Sequence, residues 1–198
     1  MNEQEERPMV TRAIDNAKIG PYQIAIFSIG LFLNMLDGFD VMAMSFTADS
    51  IGKQLQIPAD QMGIVFSTAL AGMMIGAMFV APLSDRVGRR PMIIACTAVL
   101  GVTTLLTGFS TSLWELLPLR LFTGIAVGCL LASLAAFVAE YSPTKYRSLV
   151  VVCVTAGYPL GAMLGGFIAD YLIPLYGWGS VFYAGSALTF AMLTILYF

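Results

Sequence analysis

The sequence predicts an all-α membrane protein of six transmembrane helices, on three observations. The 198 residues are 58% hydrophobic and only 11% charged, less than half the roughly 25% charged content of soluble domains. Mean hydropathy is +0.82. Six stretches approach or reach the roughly 20 apolar residues that a membrane crossing needs, and short loops that are polar or rich in Gly and Pro separate them. The runs do not alternate polar and apolar residues, as the strands of a membrane barrel would.

In chain order, residues 1–21 read as a solvated tail. It opens with Glu3, Glu5 and Glu6, and its apolar run begins too late for a signal peptide. Residues 22–198 form one domain, with spans at about 22–46, 62–83, 92–109, 116–139, 149–173 and 181–198. The short connections imply that sequence neighbours pack antiparallel. Lys and Arg set the orientation. Arg7, Arg12, Lys18, Arg86, Arg89, Arg90, Lys145 and Arg147 share one side, while Lys53 alone lies opposite and Arg120 falls inside a span. The N-terminus and both basic loops are therefore expected in the cytoplasm.

Composition excludes several function classes. The net charge of −2 and the scattered basic residues give no nucleic-acid footprint. With no His, catalytic Ser-His-Asp or Cys-His arrangements and His-based metal sites are ruled out. Cys96, Cys129 and Cys153 lie inside apolar runs and read as small buried hydrophobes. Neither a metal nor a cofactor is expected.

Charges inside spans are costly, about 2.5–3.5 kcal/mol at a helix centre, and are functional suspects. The first span holds Asn34, Asp37 and Asp40, and the spacing of the two aspartates puts them on one helix face. Like charges and burial both disfavour double ionisation, so at least one can exchange a proton near neutral pH. Proton-coupled transport needs that chemistry; packing or capping of one aspartate is the plainer alternative. Arg120 and the two aspartates are expected at similar depth in the outer half of the membrane. Arg120 is then able to neutralise an aspartate, hold a substrate carboxylate in a bidentate contact, or form a permanent buried ion pair. Phe39, between the aspartates, is the aromatic best placed beside a ligand. Asp170 reads as an interface charge, and Glu140 as a partner for the basic loop or a solvated side chain.

Small residues recur at helical spacing: Gly72 with Gly76, Gly124 with Gly128, and Gly157, Gly161 and Gly165. Such faces let helices approach closely, whether for packing alone or for gating. Pro159 invites a bend.

Ser84-Asp85-Arg86-Val87-Gly88-Arg89-Arg90 resembles the signature loop of the major facilitator superfamily, with Ala81 where the pattern usually starts with Gly. Arg120, Gly124 and Gly128 resemble its fourth-helix motif. Glu140-Tyr141-Ser142-Pro143 with Arg147 resembles its fourth–fifth loop, and the glycine-rich fifth span resembles its fifth helix. Asp37-Gly38-Phe39-Asp40 is similar to the first-helix signature of the aromatic acid:proton symporters. The resemblance implies half of a twelve-helix fold, with Asp37 and Asp40 in coupling or substrate transport. It implies a cytoplasmic gate of Asp85, Arg86, Gly88, Arg89, Arg90, Glu140 and Arg147, in which Asp85 pairs with the other half while Arg86 and Glu140 extend the network. Gly177-Trp178-Gly179 departs from a Gly-Trp-Arg pattern, which implies a missing outer charge contact.

The expectation is thus a secondary transporter in a bacterial-type inner membrane. It takes up a benzoate- or hydroxybenzoate-like anion with protons as coupling ion. Its partners are the small anion, membrane lipid and a C-terminal six-helix half or, alternatively, a second copy. The run ending at Tyr197-Phe198 reads as a truncated chain. The rival readings are a carrier of another organic acid or a sugar, an inactive half-transporter fragment, and an intramembrane aspartyl protease. The last needs two opposed carboxylates, and Asp37 and Asp40 share one helix.

Overall fold

The structure is a computed structural model that describes residues 20–197; what the sequence leads one to expect of residues 1–19 and Phe198, including the basic residues of the tail, lies outside the described residues. Among the described residues all regular structure is helical. Six helices are long and apolar enough to cross a membrane: α1 (Pro21–Leu55), α2 (Ala59–Val87), α3 (Arg89–Gly108), α4 (Leu113–Glu140), α5 (Arg147–Tyr176) and α6 (Gly179–Tyr197). The fold is that of an all-α, multi-pass membrane protein.

The helices are longer than the apolar runs that announce them. The segment 48–61 reads as a loop by hydropathy, yet α1 continues to Leu55. Polar residues do not stop a helix, and Lys53 and Asp49, one turn apart and 2.6 Å from each other, support it. The turn comes at Gln56, in the left-handed region at φ 54°, followed by Pro58 at the start of α2. Between α2 and α3 only Gly88 breaks the helical path, at φ 104°, a conformation that L side chains rarely adopt.

Two helices are irregular at proline. α2 widens into a π turn over Gly76–Val80 and tightens to a 3-10 turn at Ala81–Leu83. Pro82 has no N–H to donate, and its ring crowds the carbonyl one turn back, inside the π segment. α5 is interrupted at Ala156, between Arg147–Thr155 and Gly157–Tyr176. Pro159 denies a helical partner to the carbonyl of Thr155, which places the expected bend.

Packing follows small-residue faces rather than chain adjacency. The broadest contacts are α1 with α5 and α2 with α4, followed by α3 with both α4 and α6, whereas α1 and α2 barely touch despite their tight turn. The expectation that short loops make packed neighbours holds for α3 with α4 and fails for α1 with α2: a loop fixes which ends meet, and helix faces decide which sides pack. A Cβ on Gly124 or Gly128 would collide with carbonyl oxygens of α2, and one on Gly157 or Gly161 with carbonyl oxygens of α1. Exchanging the first three helices with the last three maps α1–α5 onto α4–α2 and α3–α4 onto α6–α1. With three crossings in each set, the second set enters from the opposite side, the pattern of inverted repeats.

The chain has two distinct ends. Gln23 of α1 donates to the Tyr141 carbonyl after α4 at 3.1 Å, and Arg89 of α3 reaches Glu140 of α4. The α2–α3 and α4–α5 loops therefore share the end where α1 begins. At the other end Trp178 donates to Gln54 at 2.7 Å, and Tyr183 to the Gly108 carbonyl at 2.9 Å. One buried apolar cluster, with Leu33, Leu130 and Val138, occupies the first half; a second, with Met44, Val65 and Phe182, occupies the other. Buried polar side chains of α1, α3 and α4 gather around the junction.

Candidate functional site

The site is built where α1 passes α3 and α4. Gly38 is the middle residue of the 35 in α1, so Asp37 and Asp40 stand at the centre of that helix and not towards its outer end. Arg120 is the eighth of the 28 residues of α4 and lies nearer the end away from the basic loops. Gly38 also allows the approach of α5: a Cβ there would collide with the Tyr158 carbonyl.

Asp40 and Arg120 pair directly, with Nη1 of Arg120 at 3.4 Å from Oδ2 of Asp40; their side chains are 2% and 5% exposed for Arg120 and Asp40. Thr104 of α3 donates from its hydroxyl to Oδ1 of Asp40 at 2.8 Å. Arg120 donates from Nη2 to the Thr107 hydroxyl oxygen at 3.0 Å. The ring of Phe182 from α6 lies 5.3 Å from the guanidinium carbon, a cation–π contact. Arg120 Nε has no hydrogen-bond partner among the described residues. A cavity of about 120 Å³ adjoins the pair, lined by Asp40, Arg120 and Thr123 together with apolar side chains of α2 such as Val65, Phe66 and Met73.

Asp37 is different. It is fully buried, and neither carboxyl oxygen has a hydrogen-bond partner among the described residues. An uncompensated buried charge is costly, so a carboxyl in such surroundings is held most cheaply in its neutral form.

The other side chains expected near a ligand are dispersed. Asn34 is buried, donates to its own helix at the Gly30 carbonyl (3.2 Å), and packs beside Gly157. Phe39 lies between α5 and α6 against Gly165 and Gly185. It lines an apolar groove of about 670 Å³ with Met35, Leu36, Leu164 and Leu188. The cavity beside Arg120 contains neither residue.

At the basic end Arg89 bridges Asp85 at 3.0 Å and Glu140 at 2.7 Å. Asp85 therefore has Arg89 as its partner within this chain. Arg89 rather than Arg86 reaches Glu140, because the Gly88 turn starts α3 and carries Arg89 towards the end of α4. Arg90 donates to the carbonyls of Leu196 and Tyr197 at 3.2 Å, at the end of α6. Arg86 and Arg147 make no ion pair among the described residues. At the opposite end the Gly-Trp-Gly segment has a neutral contact, Trp178 to Gln54, in place of a charged one.

Sequence reasoning missed Thr104, Thr107 and Phe182. Thr103, Thr104 and Thr107 fall within a single turn and a half of an apolar span, a polar stripe that hydropathy averaging conceals. Phe182 carried no signal, since an aromatic in an apolar run is ordinary.

Residues 29–198 match the model of the Major Facilitator Superfamily. Over 184 residues the chain is 36% identical to the gallate transporter of Pseudomonas putida, covering 93% of this chain and 41% of that protein. It is 37% identical over 186 residues to the 4-hydroxybenzoate transporter PcaK of Acinetobacter baylyi, with coverage of 93% and 41%. The xylose transporter XylE from E. coli, in an inward open conformation, aligns with a TM-score of 0.78 and 21% identity over 89% of this chain and 48% of that one, a likeness of fold alone. The chain spans less than half the length of these relatives. Matched over this length and sharing this fold, the chain belongs to the Major Facilitator Superfamily.

Proposed function

We propose that this chain is the N-terminal half of a secondary transporter for an aromatic carboxylate, driven by protons. The observation that carries the reading is the buried Asp40–Arg120 pair inside the bundle with Asp37, unpartnered among the described residues, one turn away. A buried arginine beside two carboxyls offers an anion a positively charged partner and a proton a place to bind inside the membrane. The likeness to gallate and 4-hydroxybenzoate transporters supports an aromatic acid as cargo. The unpartnered Arg120 Nε–H beside the cavity supports binding of the carboxylate there.

A second half with its own six helices would close the site from the other side, as in carriers with binding sites between repeats. The basic end faces the cytoplasm of a bacterial-type inner membrane on the positive-inside rule. There Asp85, Arg89 and Glu140, with Arg86, Gly88, Arg90 and Arg147 nearby, form the gate. No protein cofactor is required, since the proton is the coupling ion.

The test joins this chain to the C-terminal half of a related carrier and reconstitutes it in liposomes. Labelled gallate and 4-hydroxybenzoate should accumulate under an inward proton gradient and not without it, with unlabelled aromatic acids competing and sugars failing to. Accumulation that ignores the gradient, or competition by sugars alone, would overturn the reading.

A further inference from the structure

The inference rests on the proton-coupled reading of this site, which requires one aspartate to exchange the proton while leaving open which. A threonine inside a helix ordinarily donates to the carbonyl one turn back. Thr97, Thr103 and Thr107 do so, at 2.8, 2.9 and 2.8 Å. Thr104 does not: its hydroxyl donates to Oδ1 of Asp40 at 2.8 Å. Thr107, with its own proton committed to the Thr103 carbonyl, presents oxygen lone pairs to Arg120 Nη2 at 3.0 Å. α3 thus grips both members of the ion pair, one through a donor and the other through an acceptor.

The groups facing the two aspartates differ in the same sense. Asp40 meets Arg120 from α4, Thr104 from α3, and Asp37 on its own helix, with the phenol of Tyr158 from α5 within electrostatic reach; α2 adds only apolar side chains to the adjoining cavity. Asp37 has Asp40 on its own helix, and within electrostatic reach the thiol of Cys96 from α3 and the phenol of Tyr158 from α5, none of them a cation. α6 supplies the Phe182 ring over Arg120.

We propose that Thr104, backed by Thr107, is a positioning residue that locks Asp40 as the standing counter-ion of Arg120 and thereby leaves Asp37 as the carboxyl that binds and releases the proton. A hydrogen bond to the charged form of a carboxylate favours that form. Removing the Thr104 hydroxyl should therefore let Asp40 take up a proton at higher pH.

The test is a pH titration of carboxyl bands by infrared difference spectroscopy, using the 198-residue chain with isotope-labelled aspartate in lipid nanodiscs. A protonated-aspartate band should be present at neutral pH and vanish in Asp37→Asn. In the Asp37→Asn background, Thr104→Val should raise the pH at which Asp40 protonates by about one unit, and Thr104→Ser should return it. Thr107→Val should shift it the same way by less, which keeps the idea testable if Thr104→Val does not fold. A neutral-pH band that survives Asp37→Asn and disappears in Asp40→Asn would overturn the proposal. So would a Thr104→Val or Thr107→Val protein that melts earlier with the Asp40 midpoint unmoved, the signature of a purely structural role. Loss of gradient-driven uptake with these titrations intact would strike the transport reading instead.

Discussion

Asp40 with Arg120 inside the bundle, and Asp85 with Arg89 and Glu140 at its basic end, use the same ionic groups in opposite surroundings. The central pair is shielded almost completely, at 2% and 5% exposure. At the end Arg89 is 23% exposed and its partners Asp85 and Glu140 are 64% and 54% exposed. The shorter distances belong to the exposed cluster, 2.7 and 3.0 Å against 3.4 Å in the centre. Distance is nevertheless a poor guide to consequence here. Water and salt screen the end cluster, whereas either member of the central pair, left alone, would be a buried charge without compensation.

The largest effect should come from breaking the central pair on one side. Arg120→Leu is expected to destabilise the folded chain by about 3–5 kcal/mol, read from denaturant unfolding in detergent micelles. Replacing both partners, Asp40→Leu with Arg120→Leu, should recover most of that loss. A double variant as unstable as the single one would show that packing, and not the stranded carboxylate, sets the cost. Next in size, Phe182→Leu removes the ring over Arg120 and should cost about 1–2 kcal/mol by the same measurement.

At the exposed end Arg89→Gln should cost less than about 1 kcal/mol. A larger loss there would mean that the cluster is far better shielded than its exposure indicates. The smallest and most discriminating effect is ionic. Raising salt from about 0.1 to 1 M shortens the screening length from roughly 10 to 3 Å. The Arg89→Gln difference should then fade while the Arg120→Leu difference persists. Equal salt sensitivity at both places would erase the contrast between them.

Much of the fold was legible because lipid imposes one demand, a run of apolar residues long enough to satisfy its own backbone. The helix ends were less so, since hydropathy marks what is apolar while backbone hydrogen bonding carries α1 to Leu55. Asp37, Asp40 and Arg120 stood out as charges in spans, and the bend at Pro159 followed from its missing N–H. Which aspartate meets Arg120 was not readable, nor was the grip of Thr104 and Thr107, because a threonine in a membrane helix is satisfied by its own backbone unless a neighbour offers something better.

By itself the sequence determined the number of helices, their all-α character, the residues unusual in an apolar setting and the motifs of the superfamily. These depend on local composition and spacing, which no partner is needed to define. Tertiary structure alone decided that α1 packs on α5 rather than α2, that Phe39 sits between α5 and α6, and that Arg89 bridges Asp85 and Glu140. Each depends on which helix faces come together, and that is set by close packing between segments far apart in the chain.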